Sequence, residues 1–257
     1  MPFYRLSHNG NDHFADSDDD ESAQLWTAAP WAGGERTGRF VSLSEVSLLP
    51  PVAPSKIVCV GRNYRLHAEE LGNVVPKEPL LFLKPPSSLL ADGGTIVLPP
   101  ESARVEHEGE LGVVIGRRLY RASPAACREG VFGLTCVNDV TARDLQRRDV
   151  QFTRGKGFDT FCPVGPAVVR TDPMADRRIA VSVGGDVRQL GQTADMEVSV
   201  PALLAFISSI MTLEPGDLVA TGTPAGVGPL LDGDEVTVEI EGVGRLTNRV
   251  SEYHEQE

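Results

Sequence analysis

The 257-residue chain has little cysteine: Cys59, Cys127, Cys136 and Cys162 are all there is. None forms a Cys-x-x-Cys pair, so a disulfide framework is excluded and free buried thiols in a reducing compartment are expected. Basic residues are also short, 24 against 36 acidic ones, for a net charge of −12. That balance argues against nucleic acid and anionic membrane as partners. It also means that an anionic substrate needs a local cation, either a metal or placed Arg and Lys. The N-terminal MPFYRLSHNGND lacks the basic-then-apolar pattern of a signal peptide. No apolar run reaches the roughly 18 residues that a membrane helix needs. A soluble cytoplasmic protein is the expectation.

Turn formers, by contrast, are abundant. There are 26 Gly and 19 Pro beside 41% hydrophobic residues, which reads as a strand-and-turn protein rather than a helical bundle. Residues 1–50 read as a small N-terminal β-rich domain, with FYRL and AQLW as strands and NGND as a turn. Asp16 and Asp18 to Glu21 read as a solvated acidic loop. LLPPVAPSK, at 48–56, is a Pro-rich connector that cannot be helical. The boundary falls there, leaving 51–257 as the larger domain.

In that larger part KIVCV, LLFLK and TIVL read as strands. RLHAEELG reads as a short helix stopped by Gly72, and SPAACREG as one with a Ser N-cap and an early Pro. IAVSV, Gly184-Gly185 and VRQ form a hairpin signal. PALLAFISSI carries Leu203, Phe206, Ile207 and Ile210 at helical spacing. Val236, Val238 and Ile240 alternate as in a half-buried strand. ATGTPAGVG lacks the GxxxxGK[ST] pattern, so a nucleotide loop is rejected and a tight turn around Thr223 is expected.

RVEHEGELGVVIG is the most informative segment. Read as one strand over 104–115, it puts Glu106, Glu108 and Glu110 on one face and His107 on the other, where it packs. Two converging carboxylates about 5 Å apart repel by about 3 kcal/mol at an effective dielectric near 20. Either solvent bathes that face, or a hard dication turns repulsion into attraction. A third oxygen ligand could come from Asp139 in CVNDVTARDLQ, which ends an apolar run. An Asp at such a junction also serves as an N-cap. Asp144, further on, reads as a helix-surface acid.

KIVCVGRNYRLHAEELGN, PLLFLKPPSSLL, VEHEGELGVVIG, VNDVTARDLQ, GKGFDTFCPVGP and LEPGDLVATGTPAGVG together resemble the fumarylacetoacetate hydrolase superfamily, in the family's order, over about residues 56–250. The resemblance implies a mixed α/β, β-dominated fold with a β-roll catalytic domain, usually as a homodimer. It implies one Mg²⁺ or Mn²⁺ per subunit, held by Glu108, Glu110 and Asp139, with Glu106 outside that set. It places a general-base dyad on His67 and Glu70 and substrate contacts on Arg143, Gln146 and Thr223. Lys156, in RGKGFD, is the residue expected to stabilise an oxyanion or enolate. His67 and Glu70 are three apart on one helix face, so Glu70 can take one imidazole proton and leave the other nitrogen basic.

The implied substrate is a small anionic 2-oxo or 2,4-dioxo acid. Hydrolysis of a C–C bond in an acylpyruvate or fumarylpyruvate is the preferred reading, because the dyad suits an activated water. Decarboxylation of oxaloacetate and isomerisation of 2-hydroxyhepta-2,4-diene-1,7-dioate are the alternatives. A non-catalytic protein that binds metal and dicarboxylate is the distant one. Residues 64–79, with LGNVVPKEP, read as a lid over the site.

Overall fold

Gly184 and Gly185 both take left-handed φ, 58° and 87°, as a two-residue type I′ turn requires. They join Arg178–Val183 to Asp186–Gln192 as expected. In the computed structural model, which describes residues 1–19 and 21–254, that hairpin is one end of a five-stranded sheet. The sheet continues through Glu235–Ile240 and Gly244–Glu252 to Thr95–Leu98. The other large sheet has twelve strands. Its main path runs Arg36–Ser42, Ser22–Trp26, Asn11–Asp16, Pro2–His8, Cys162–Val169, Val131–Asn138, Gly109–Ile115, Leu218–Ala220, Ile57–Gly61 and Leu80–Lys84. The fold is mixed and β-dominated.

The strands of residues 1–50 hydrogen-bond into this larger sheet, where Pro2 and Phe3 pair with Val169 and Val168. They also close a small cluster of their own on Leu6, Ala15, Ala23 and Leu25. Asp16 departs from the solvated loop expected of it. It is 3% exposed and accepts from Trp26 Nε1 at 2.7 Å and Arg36 Nε at 3.1 Å, because it ends a strand flanked by donors. Asp18 and Asp19 are exposed, and Asp20 lies outside the described residues.

The main core lies between the two sheets. Leu111, Val113 and Ile115 meet Val181, Val238 and Ile240 there. Helix Val200–Ile210 buries Val200, Leu203, Leu204 and Ile207, whereas Ile210 is 58% exposed and Phe206 half-buried. Helical spacing therefore located the apolar stripe, but one turn too far toward the C-terminus. Helix Pro124–Glu129 starts as expected, with Ser123 Oγ accepting from Ala126 N. All four cysteines are buried and unpaired. Burial pushes the Cys136 and Cys162 thiols up to about 12, so they are inert at neutral pH. Among the described residues no helix is long and apolar enough to cross a membrane.

The carboxylate segment is not one strand. Val105–His107 and Gly109–Ile115 belong to different sheets, with Glu108 between them. Gly109 is where the chain presses on the second sheet: a Cβ there would lie 2.2 Å from Val181 Cγ2. The interruption is held by bonds that leave the ladder. Glu108 N donates to Asn138 Oδ1 and Gly109 N to Gln189 Oε1, each at 3.0 Å.

Candidate active site

Asp139 follows directly on strand Val131–Asn138, and its N–H donates to Glu108 O at 2.8 Å. That backbone bond brings two acids 31 positions apart into contact, while Glu110 follows on the next strand. One oxygen from each of Glu108, Glu110 and Asp139 lies within 4.8 Å of the others, and all three are buried. Each pair at that separation repels by roughly 3.5 kcal/mol at an effective dielectric near 20.

Cations from other elements offset part of this. Lys84 Nζ donates to Asp139 Oδ1 at 2.6 Å, and Lys156 Nζ bridges Asp139 Oδ2 at 2.6 Å and Glu108 Oε2 at 2.8 Å. Arg143 Nη2 donates to the other Glu108 oxygen. Burial opposes ionisation of Glu108, but Lys156 and Arg143 outweigh it and hold its carboxyl well below the usual range. Glu110 has no such partner. Its one donor among the described residues is Gly222 N at 2.8 Å, and burial, then Asp139 and Glu108, push its carboxyl well above the usual range. An acid cluster with one member left uncompensated is what a hard dication would relieve. The donor set is all oxygen, which fits Mg²⁺ or Mn²⁺.

Lys156 is 1% exposed. Burial pulls its ammonium down, but Asp139 and Glu108 raise it further, so it stays charged. Its removal takes one counter-ion from each of two buried carboxylates, leaving Asp139 with Lys84 and Glu108 with Arg143. Lys156→Met is expected to destabilise the metal-free protein by about 3–5 kcal/mol, and saturating Mg²⁺ is expected to restore most of that. Urea denaturation with EDTA and then with Mg²⁺ measures both. An unchanged midpoint in EDTA would deny the lysine its part as counter-ion.

A cavity of about 250 Å³ opens onto this cluster, with His67, Glu108, Glu110, Arg143, Lys156 and Thr223 among its walls. His67 is 4% exposed on helix Arg65–Glu70, and burial lowers its pKa below the ordinary imidazole value. Its Nδ1 lies 3.5 Å from Glu70 Oε2, close but beyond a good hydrogen bond. Glu70 sits behind His67, where both its oxygens accept from Gly226 N at 3.1 Å. Leu71 and Asn73, from the expected lid segment, reach the same cavity, and Val74 beside them is 80% exposed.

All three expected substrate contacts, Arg143, Gln146 and Thr223, are already engaged by protein groups. Arg143 turns its fork on Glu106 Oε2 at 2.6 Å, on Glu108, and on Gln146 Oε1 at 2.6 Å. Thr223 Oγ1 donates to Gly109 O and accepts from Gln189 Nε2, both at 2.8 Å. Glu106 thus lies outside the acid cluster, held by Arg143 and by Arg104 at 2.5 Å. His107 is packed as expected, with Nδ1 3.0 Å from Gln189 Oε1. Asp144 is not a plain surface acid: it accepts from Ser102 Oγ at 2.6 Å and Ala103 N at 3.1 Å.

Sequence reasoning missed Lys84, Asn138, Gln189 and Asn63. Asn63 ties the helix carrying His67 to the loop carrying Gly222, through Val198 N at 2.9 Å and Thr221 O at 2.9 Å. Lys84 had a signal, a lysine closing the apolar run LLFL. The others had none, since their partners lie 30 to 158 positions away. The loop dismissed as a phosphate binder proves to be the scaffold of the site. Gly222, Thr223 and Gly226 each bond a different part of it.

Comparison with known proteins follows this geometry. The family model "Fumarylacetoacetate (FAA) hydrolase C-terminal" matches residues 56–251, and "Rv2993c-like, N-terminal" matches residues 1–51. The oxaloacetate tautomerase YisK of Bacillus subtilis is 41% identical, over 86% of this chain and 80% of its own. The crystal structure of a 2-hydroxyhepta-2,4-diene-1,7-dioate isomerase from Mycobacterium marinum superposes with a TM-score of 0.90 at 41% identity, covering 99% of this chain and all of that one. A fumarylpyruvate hydrolase from Pseudomonas aeruginosa, in complex with Mn²⁺ and pyruvate, superposes with a TM-score of 0.74 at 33% identity, over 79% of this chain and 91% of that one.

Proposed function

This chain belongs to the fumarylacetoacetate hydrolase family, and from that premise we propose that it is a divalent-metal-dependent enzyme interconverting the keto and enol forms of a small 2-oxo dicarboxylic acid of the oxaloacetate type. The observation that carries the reading is a buried imidazole, kept neutral by its burial, on the wall of the cavity that Glu108 and Glu110 also line. Glu108, Glu110 and Asp139 would hold the dication. When bound, it supplies Lewis-acid polarisation to a chelated carboxylate and ketone.

The chain's own residues do the rest. An Nδ1 proton directed at Glu70 leaves His67 Nε2 as the acceptor for a proton from the carbon next to the ketone. The same nitrogen then delivers that proton to the ketone oxygen to give the enol, and the reverse order gives the keto form, so the reaction needs no water and no leaving group. Lys156 keeps a full positive charge where negative charge gathers on the ketone oxygen. The relative named for tautomerisation, YisK, supports the substrate type.

Hydrolysis of a C–C bond, preferred on sequence, is the second reading. The His67–Glu70 pair favours it, because the same base could activate water, and the fumarylpyruvate hydrolase is a structural neighbour. A side-by-side assay separates the two. Loss of the enol's ultraviolet absorbance is followed for oxaloacetate, and pyruvate release for oxaloacetate, fumarylpyruvate and acetylpyruvate, with Mg²⁺, Mn²⁺ or EDTA. Enol–keto exchange is expected to outpace every pyruvate release and to stop in EDTA. Cleavage of fumarylpyruvate or acetylpyruvate faster than exchange would replace tautomerisation with hydrolysis.

A further inference from the structure

The cavity holds more positive charge than the acid cluster uses. Arg143 and Lys156 have protein acceptors for their donors, as described above. Two other cavity residues, Arg62 and Arg147, do not. Among the described residues, neither guanidinium has a hydrogen bond, an ion pair or a stacked ring. In a protein with 36 acidic and 24 basic residues, two unpaired guanidiniums on one small cavity leave it locally cationic against the field of the whole molecule.

Arg62 also sits at a backbone position that does not suit an arginine. Its φ is 61°, the left-handed region that glycine or asparagine adopts more easily. Its neighbour Asn63, clamped to Val198 and Thr221, fixes the chain beside it. Arg147 stands one residue beyond Gln146 on helix Arg143–Arg148 and is exposed. The two cations thus come from separate elements to line one cavity, and each guanidinium offers a planar fork that suits a carboxylate.

We propose that Arg62 and Arg147 form the seat for the second carboxylate of the oxo acid, and so select dicarboxylates over substrates with an uncharged tail. The proposal rests on the oxo-acid reading above and adds the specificity-determining residues to it. Its rival is also on the cavity wall. Leu71, Leu80, Phe82 and Phe152 would welcome an apolar tail instead, as an acylpyruvate carries.

The test uses two 2-oxo acids of equal length that have no β-carboxylate to lose, 2-oxoglutarate and 2-oxopentanoate, which differ only in a terminal carboxylate against a methyl group. Their affinities for the Mg²⁺-loaded protein are measured by calorimetry at low and moderate salt. The wild-type protein is expected to prefer 2-oxoglutarate by about tenfold or more, since hydrogen bonds to charged groups are the strong ones. Added salt is expected to erode that preference. Arg62→Gln and Arg147→Gln are each expected to weaken 2-oxoglutarate by about tenfold and to leave 2-oxopentanoate within about twofold. Arg147 lies on an exposed helix face, so its variant stays informative should Arg62→Gln fold poorly.

Equal weakening of both ligands, no weakening of either, or a wild-type preference for 2-oxopentanoate would overturn the seat while leaving the metal reading intact. Failure of both ligands to bind the Mg²⁺-loaded wild type would overturn the oxo-acid reading, and the seat with it.

Discussion

Glu110→Gln is expected to fold as well as the wild type without metal and to lose the response to metal altogether. Among the described residues Gly222 N is the only donor that Glu110 holds, and an amide oxygen can accept it as the carboxylate does. The substitution also removes a carboxyl whose ionisation burial, then Asp139 and Glu108, oppose, so no stability should be lost in EDTA. The loaded proteins should diverge. At a Mg²⁺ concentration of about 100 Kd the wild type gains about 2.7 kcal/mol, which for a chain of this size raises Tm by roughly 5–10 °C. The variant should gain almost nothing. Turnover should fall by about a thousandfold, because Lewis-acid polarisation contributes several kcal/mol to such reactions. Thermal melts in EDTA and in Mg²⁺, run beside the enol–keto assay, give all three quantities. A Mg²⁺-induced shift of wild-type size in Glu110→Gln would remove Glu110 from the ligand set.

His67→Gln carries the other large effect, on rate alone. A positioned general base contributes about 10²–10⁴, so kcat should drop by that factor. KM and the metal-induced shift in Tm should barely move, since among the described residues His67 makes no hydrogen bond to the acid cluster and a glutamine can fill its place on the helix. The pH profile gives the sign. The imidazole acts as a base only when neutral, and burial lowers its pKa from the ordinary 6.5. Activity should therefore be level through neutral pH and fall only below about 6.5, as the ring takes up a proton. His67→Gln should lose that acid limb along with the rate. A variant that keeps wild-type kcat, or a wild-type limb centred above 6.5, would take the role from His67.

Much of this protein can be read along the chain because the signals are local. A two-glycine turn needs only its own φ angles, and a Ser N-cap needs only a nearby N–H. The spacing of Glu108 and Glu110, and of His67 and Glu70, is likewise a property of one short segment. From these came the hairpin, the short helices, the inert thiols and, through resemblance, the family. What failed were inferences that needed to know what lay opposite. Asp16 looked solvated until Trp26 and Arg36 stood beside it. Ile210 looked buried until helix Val200–Ile210 ended short of the core.

The sequence by itself determined the β-dominated class, because residue type and short-range period carry that information; the family, and the grouping of Glu108, Glu110 and Asp139 as one set, came from its resemblance to known motifs. Only the tertiary structure decided how those acids are offset. The break at Glu108, the lysine from Leu80–Lys84, the engaged fork of Arg143 and the two idle guanidiniums all depend on segments far apart in the chain. Charge pairing acts over a few ångströms in space and is blind to sequence distance, so no reading along the chain could have ranked those partners.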